Sequence, residues 1–199
     1  MSEQNNTMST TKTEVKKHLD QLVGLPLCIS RRAADMLVLH FGTIREIENR
    51  SLSGKLRKNP RATVGDFSLH IQCPWRIENA DGIITGRGDL YRSADTGEYF
   101  DKELDDDSFY EHGKNFQDRR MSELLQGIEP VTDSYMNVTD FLIVEATEAD
   151  NFGEATIYLS GGYRLRIFPS SSKGEHWRLL QGATDEKHFV VEDSDVEFE

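Results

Sequence analysis

"GDFSLHIQCPWRI", residues 65–77, alternates between apolar and polar side chains. Phe67, Leu69, Ile71 and Cys73 fall on one side, and Ser68, His70 and Gln72 on the other. This is the period-two pattern of a strand with one buried face. Pro74 ends the run, and Trp75 and Ile77 add large apolar groups beyond it. A related string, "GGYRLRIFPSSSKGEHWRL", occupies 161–179. Setting Gly65 on Gly161 brings Phe67, Leu69 and Ile71 onto Tyr163, Leu165 and Ile167. After a longer spacer, Trp75-Arg76 meets Trp177-Arg178, and these are the chain's 2 tryptophans. "MLVLHFG" precedes the first string across a long insertion, and "ATIYLSG" precedes the second directly. The match reads either as an internal duplication of a strand–strand–Trp-Arg unit or as a chance recurrence of one. A hairpin of this kind cannot bury its apolar face alone, so two of them must pack together or extend one sheet. The tryptophans then lie at the core edge with their indole N–H groups on backbone acceptors, and the adjacent arginines reach solvent or a carboxylate.

Working outward, the spacing predicts a helix from Thr11, where Thr11 and Glu14 have capping-box spacing and Val15, Leu19 and Leu22 form one stripe. Gly24 stops it and Pro26 forbids its continuation. Residues 1–10 are polar and are expected to be disordered. "LPLCIS" (25–30) and "DMLVLHFG" (35–42) read as strands, 43–64 as a long loop or exposed hairpin, and 82–92 as a strand pair or a turn. Residues 96–115 read as irregular. A second helix fits 116–126, with Met121, Leu124 and Leu125 on one face and Gly127 as its stop. From 140 onward the pattern is a meander, with the Gly161-Gly162 pair as a hairpin turn. The fold class is α+β: one domain over 11–191, mostly antiparallel sheet with two helices. Its candidate halves are 22–92 and 138–191, and an acidic tail follows at 192–199.

Hydrophobic residues make up 37% of the 199 and charged residues 29%, a globular composition. The net charge is −12 and unevenly placed. Residues 183–199 hold seven acids and one base, and 98–123 hold nine acids and four bases, while 44–61 hold six bases. No broad basic surface is available for phosphate, so nucleic acid is not an expected partner. No apolar run approaches the roughly 18 residues that cross a bilayer, and the N-terminus has no signal-like apolar stretch. With no CxxC, Cys28 and Cys73 read as reduced, buried thiols, and the expected location is cytoplasmic.

His40 and His70 sit in predicted strands, and Asp35 or Asp89 would complete a metal site. No close-spaced ligand pair supports one, so no metal is assigned. "ELDDDSFYEH" (103–112) lacks the spacing of a calcium loop and reads as a solvated acidic loop. There is no Walker A loop, no G-x-G-x-x-G and no G-x-S-x-G elbow, so no cofactor is expected and no nucleophile is assigned. In "GRGDLYR", Asp89 reads as a turn cap or a partner of Arg87 or Arg92. Two function classes remain. In the first, a protein–protein interaction module, Asp105, Asp106 and Asp107 steer a basic protein and Phe109 and Tyr110 anchor the contact. Arg164 and Arg166, with His70 and Gln72, would form a second polar platform. In the alternative, an enzyme or small-ligand binder gathers Arg31, Arg32, His40, His70 and Asp89 around a pocket. A structural subunit of a larger assembly is a third reading, and it predicts an exposed apolar patch or sheet edge.

"LVGLPLCISRRAADMLVLHFG", "GDFSLHIQCPWRI" with "GRGDLYR", and the closing "EHWRLLQG" and "HFVV" together resemble a group of short, uncharacterised bacterial proteins. That group carries GLPL…RAADM…FG, LH-QCPWRI, G-RDxY and EHWRL…HFVV motifs. The resemblance spans most of 22–191, leaving 43–64, 93–130 and the acidic end unmatched. It implies a bacterial, cytosolic, stand-alone fold and no catalytic assignment. By analogy of format it implies an immunity-type inhibitor of a toxin.

Overall fold

The alternating segments are strands in the structure, a computed structural model that describes residues 2–50, 55–100, 107–125, 142–182, 184, 187–193 and 195–198. In chain order the elements are α1 (Ser2–Leu19), β1 (Pro26–Ala33), β2 (Met36–Phe41), β3 (Arg45–Arg50), β4 (Leu56–Val64), β5 (Phe67–Ile71), β6 (Trp75–Asn79) and β7 (Gly82–Gly86). Then follow α2 (Phe116–Leu124), β8 (Leu142–Ala149), β9 (Ala155–Leu159), β10 (Tyr163–Ile167), β11 (Glu175–Gln181), β12 (Phe189–Glu192) and β13 (Asp195–Phe198). Eleven strands pair antiparallel in the order β13-β12-β11-β5-β2-β1-β8-β9-β10-β6-β7, and β3 and β4 form a separate two-stranded sheet. The class is α+β, dominated by antiparallel sheet.

Two expectations are corrected. Residues 2–10 are helical rather than disordered, because no Gly or Pro interrupts the run leading into Thr11. The end of the chain is not a solvated tail. In β13 Val196 alternates with Asp195 and Glu197, so Val196 packs on the core opposite Val191 while the carboxylates line the sheet edge. Stretch 43–64 resolves as the exposed-hairpin option.

The strand order answers the question raised by the repeat. It is symmetric about its middle: β1 stands opposite β8, β2 opposite β9, β5 opposite β10, β11 opposite β6 and β12 opposite β7. The registers coincide under the sequence alignment. Phe67, Leu69 and Ile71 face Phe41, Leu39 and Leu37, and Tyr163, Leu165 and Ile167 face Leu159, Ile157 and Ala155. The irregularity between Leu27 and Ile29 of β1 recurs between Val144 and Ala146 of β8. The Trp-Arg strands, however, have changed places. Trp177 pairs with Ile71 of the first copy, and Trp75 pairs with Ile167 of the second. Even the backbone bond beyond each pair repeats: Gln72 N donates to His176 O at 2.9 Å, and Phe168 N to Pro74 O at 2.8 Å. Shared register, shared bulge and reciprocal exchange together are not a coincidence of short strings. The fold is pseudo-symmetric: its two halves share strand order and register, and each half's last hairpin pairs with the other half.

The sheet curls to enclose one core. Trp177 Nε1 donates to Gly153 O at 2.9 Å, although β11 and β8 lie four strand spacings apart, about 19 Å in a flat sheet. Gly153 has φ 81° and meets Val191, so a side chain there has neither the backbone nor the room. The helices close the two equivalent seams. On one side His18 of α1 stacks on Phe189 of β12 at 4.0 Å, and the next residue but one, Asp20, accepts from Thr147 of β8 at 2.5 Å. On the other, Gln117 of α2 donates to Gly86 O of β7 at 3.2 Å, and Asp118 pairs with Arg32 of β1. Trp177, Leu39, Leu69, Ile71, Ile77 and Ile167 are fully buried, each stabilising by roughly 1.5–3 kcal/mol relative to exposure.

Candidate functional site

Asn115 starts the second seam. Its side-chain oxygen accepts from Asp118 N at 2.8 Å, which caps α2 and places an acid in the first turn, where the helix dipole favours it. Asp118 turns inward and meets Arg32; the two side chains are 7% and 6% exposed. Arg32 donates to both carboxylate oxygens at 3.3 and 3.0 Å, to Ala34 O at 2.7 Å and to Tyr110 O at 3.1 Å. Asp118 also accepts from Gly113 N at 3.0 Å and Asn115 Nδ2 at 2.9 Å, and His112 Nδ1 lies 3.4 Å away. Asn115 Nδ2 reaches Phe109 O at 2.9 Å. Burial alone would raise the Asp118 carboxyl. The bonds from His112, Arg32 and Gly113 N, with the Arg32 charge, overcome that and hold it well below the usual carboxylate range. This network clamps the short helical turn Asp107–Tyr110 onto the body of the protein. Beside it a shallow cleft is lined by Ser30, Arg31, Leu37, Met121 and Ser122.

The clamped turn carries an aromatic cluster. The Phe109 ring lies 5.4 Å from Tyr91, 5.9 Å from Phe100 and 4.2 Å from Tyr110. Tyr91, Tyr110 and Tyr99 are 36%, 40% and 61% exposed. Phe100 N donates to Tyr91 O at 3.0 Å, and Arg92 pairs across to Tyr99 with its guanidinium 3.9 Å from that ring. Asp95, Glu98 and Glu111, with Lys114, are exposed in the same segments. The result is an acidic–aromatic face on a buried ionic clamp.

The other expected residues separate. Asp105 and Asp106 lie outside the described residues, and Asp107 opens the helical turn. Arg164 and Arg166 lie on the outer face of β10, paired with Glu78 at 3.2 Å and Glu154 at 2.9 Å. Arg76 and Arg166 flank the Phe168 ring at 5.0 and 5.1 Å. His70 is on the equivalent face of the first copy, so the single platform is two faces.

The five-residue pocket does not assemble. Arg31, His40 and His70 share the outer face of β1, β2 and β5, whereas Arg32 points to the opposite side, into the clamp. Asp89 caps its own turn through Gly86 N at 3.2 Å and lies 3.8 Å from Arg92. Arg31 and Arg32 both border the cleft beside Asp118, but His40, His70 and Asp89 do not reach it. Burial, then the Arg31 and His70 charges, pushes His40 down to about 3. Burial, then Arg178, lowers His70 to about 4, and both imidazoles are neutral at pH 7. Cys28 and Cys73 are buried, and burial pushes their thiols up to about 12, so neither is a ready nucleophile.

The clamp residues Asn115 and Asp118, and the tyrosines Tyr91 and Tyr99, were not singled out by the sequence. The N-x-x-D spacing at 115–118 is a helix-start signal that would have marked the first pair. No local signal joins Arg32 to a residue on a distant helix.

Among the described residues no helix is long and apolar enough to cross a membrane, and no group of three or more His, Cys, Asp or Glu could hold a metal ion. No protein-family model, curated protein or solved structure matches the chain.

Proposed function

We propose that this chain is a protein-interaction module that binds a basic partner on the acidic–aromatic face. The finer form of the proposal is a bacterial, cytosolic, immunity-type inhibitor that covers the basic surface of a toxin. The observation that carries the reading is the set of exposed tyrosines, Tyr91, Tyr99 and Tyr110, the last on a turn held by the buried clamp, with exposed Asp95, Glu98 and Glu111 in the same segments. Rigid aromatic anchors concentrate binding energy, and surrounding carboxylates steer a cationic partner. A second reading, small-ligand binding in the cleft beside Asp118, is favoured by His112 and Asp118 meeting at its rim.

A pull-down with the full chain tests the first reading. The expected result is one stoichiometric basic protein that is released as salt rises and is lost from the Tyr99→Ala/Tyr110→Ala variant. Capture of that protein unchanged by the double substitution would refute the assignment of the face.

A further inference from the structure

The hairpin β3–β4 has no counterpart in the second half of the pseudo-symmetric fold. Where it leaves β2 and returns to β5, the second copy passes from β9 to β10 through Ser160–Gly162 alone. The hairpin is therefore an insertion that closing the sheet does not require. It is tied at its root: Arg31 donates to Thr63 Oγ1 at 2.5 Å, Thr43 N to Asp66 at 2.6 Å, and Arg45 pairs with Asp66. Farther out, Lys55 and Lys58 are exposed, Leu56 is 53% exposed, and the Arg61 side chain is 78% exposed while pairing with Glu46 at 3.0 Å. Residues 44–61 hold six of the chain's 23 Lys and Arg, against a total charge of −12.

This arm and the acidic–aromatic face sit at opposite ends of the same strands. The arm is rooted at the Phe41–Phe67 end of β2 and β5, and the face at the Arg32–Leu37 end. The ion pairs described for the arm go to Glu46 and Asp66, not to the face. From Ile44 to Val64 there is no aromatic residue, so the arm lacks the stacking groups that hold single-stranded nucleic acid. The chain itself carries a surface of opposite charge to the arm, with Glu98 and Glu111 exposed beside Tyr99 and Tyr110. We propose that the β3–β4 arm docks on the acidic–aromatic face of a second copy of the chain, reciprocally, as a two-fold dimer. This rests on the reading of that face as a binding surface.

Sedimentation velocity on the full chain tests it. The expected result is a concentration-dependent dimer whose dissociation constant rises about tenfold or more when salt goes from about 50 to about 300 mM. Lys55→Glu/Lys58→Glu/Arg61→Glu in the arm, and separately Glu98→Lys/Glu111→Lys in the face, should each give a monomer with an unchanged circular dichroism spectrum. Mixing the two variants should restore a mixed dimer, because the reversed charges again complement each other. A wild type that stays monomeric at every concentration and salt overturns the proposal. So does a dimer that survives both sets of reversals, or an arm that binds duplex nucleic acid while the chain does not self-associate. A monomeric wild type that still captures a basic protein through Tyr99 and Tyr110 would leave the face reading standing and remove only this one.

Discussion

Asp118→Asn tests whether the clamp holds the face. The substitution is nearly isosteric but removes the charge opposite Arg32, whose side chain is 6% exposed. An uncompensated buried guanidinium costs about 3–5 kcal/mol, a large part of the 5–15 kcal/mol typical of a whole domain. The amide also presents a donor where Arg32, Gly113 N and Asn115 Nδ2 all need an acceptor. Solvent screens little at this depth, so the full range applies. The double variant Arg32→Met/Asp118→Leu removes both charges and should recover most of the loss, since a well-packed apolar pair replaces a buried ion pair at little net cost. It should not recover the turn, because Tyr110 O and Gly113 N still lose their partners. Urea unfolding followed by far-ultraviolet circular dichroism reads the stability, and amide exchange over 107–115 reads the turn. The expected result is a large loss in the single variant, near-recovery in the double, and fast exchange at Gly113 in both. A loss below about 1 kcal/mol in Asp118→Asn, or native protection of the turn in the double variant, would refute the reasoning.

The two tryptophans should respond differently to phenylalanine. Trp177→Phe abandons the bond to Gly153 O, at about 1–3 kcal/mol for an orphaned buried group, whereas Trp75 Nε1 is buried with no partner among the described residues, so Trp75→Phe removes a penalty along with the packing. Equal losses in urea melts would argue against this account. Stability should fall with acid between about pH 6.5 and 4, because the folded pKa values of His40 and His70 lie near 3 and 4, below that of the unfolded chain, which then binds more protons. His70→Gln should flatten the slope between pH 7 and 5, and an unchanged slope would place the acid sensitivity elsewhere. Finally, fragments 1–137 and 138–199, each holding an exchanged hairpin with no sheet of its own to join, should be unfolded apart and should form a 1:1 folded complex together. A fragment that folds alone as a monomer would count against reciprocal exchange.

The strands were legible because each buries one face, which forces the alternation seen at 67–73 and 163–167. The exchange was not. Trp75 follows Ile71 closely in sequence, and nothing local says that it pairs with Ile167 instead. The pocket of Arg31, Arg32, His40, His70 and Asp89 failed for the opposite reason. Each residue was plausible alone, but Arg32 is taken up by Asp118, Asp89 by its own turn, and His40 and His70 lie away from the cleft that Arg31 and Arg32 border. The aromatic half of the face was partly visible in Phe109 and Tyr110. Its support was invisible because Arg32 and Asp118 are 86 residues apart in sequence.

The two pseudo-symmetric halves agree at some positions and differ at others. At core positions the copies agree in kind: Leu39 with Ile157, Leu69 with Leu165, Ile71 with Ile167 and Leu179 with Ile77. On the outer face, at equivalent register, they do not: Arg31 stands where the second copy has Glu148, His40 where it has Tyr158, Ser68 where it has Arg164, and His70 where it has Arg166. Exchange of hairpins explains the first pattern, because each copy's core is completed by the other and neither can change volume alone without opening a void. Nothing ties the outer faces or the connections together. There the first copy has the inserted basic arm and, after β7, the segment that carries the aromatic turn, while the second has a three-residue turn and an edge strand. Both surfaces assigned to binding thus lie where the two copies were free to differ, and the shared core supplies only the frame that holds them at opposite ends of the same strands.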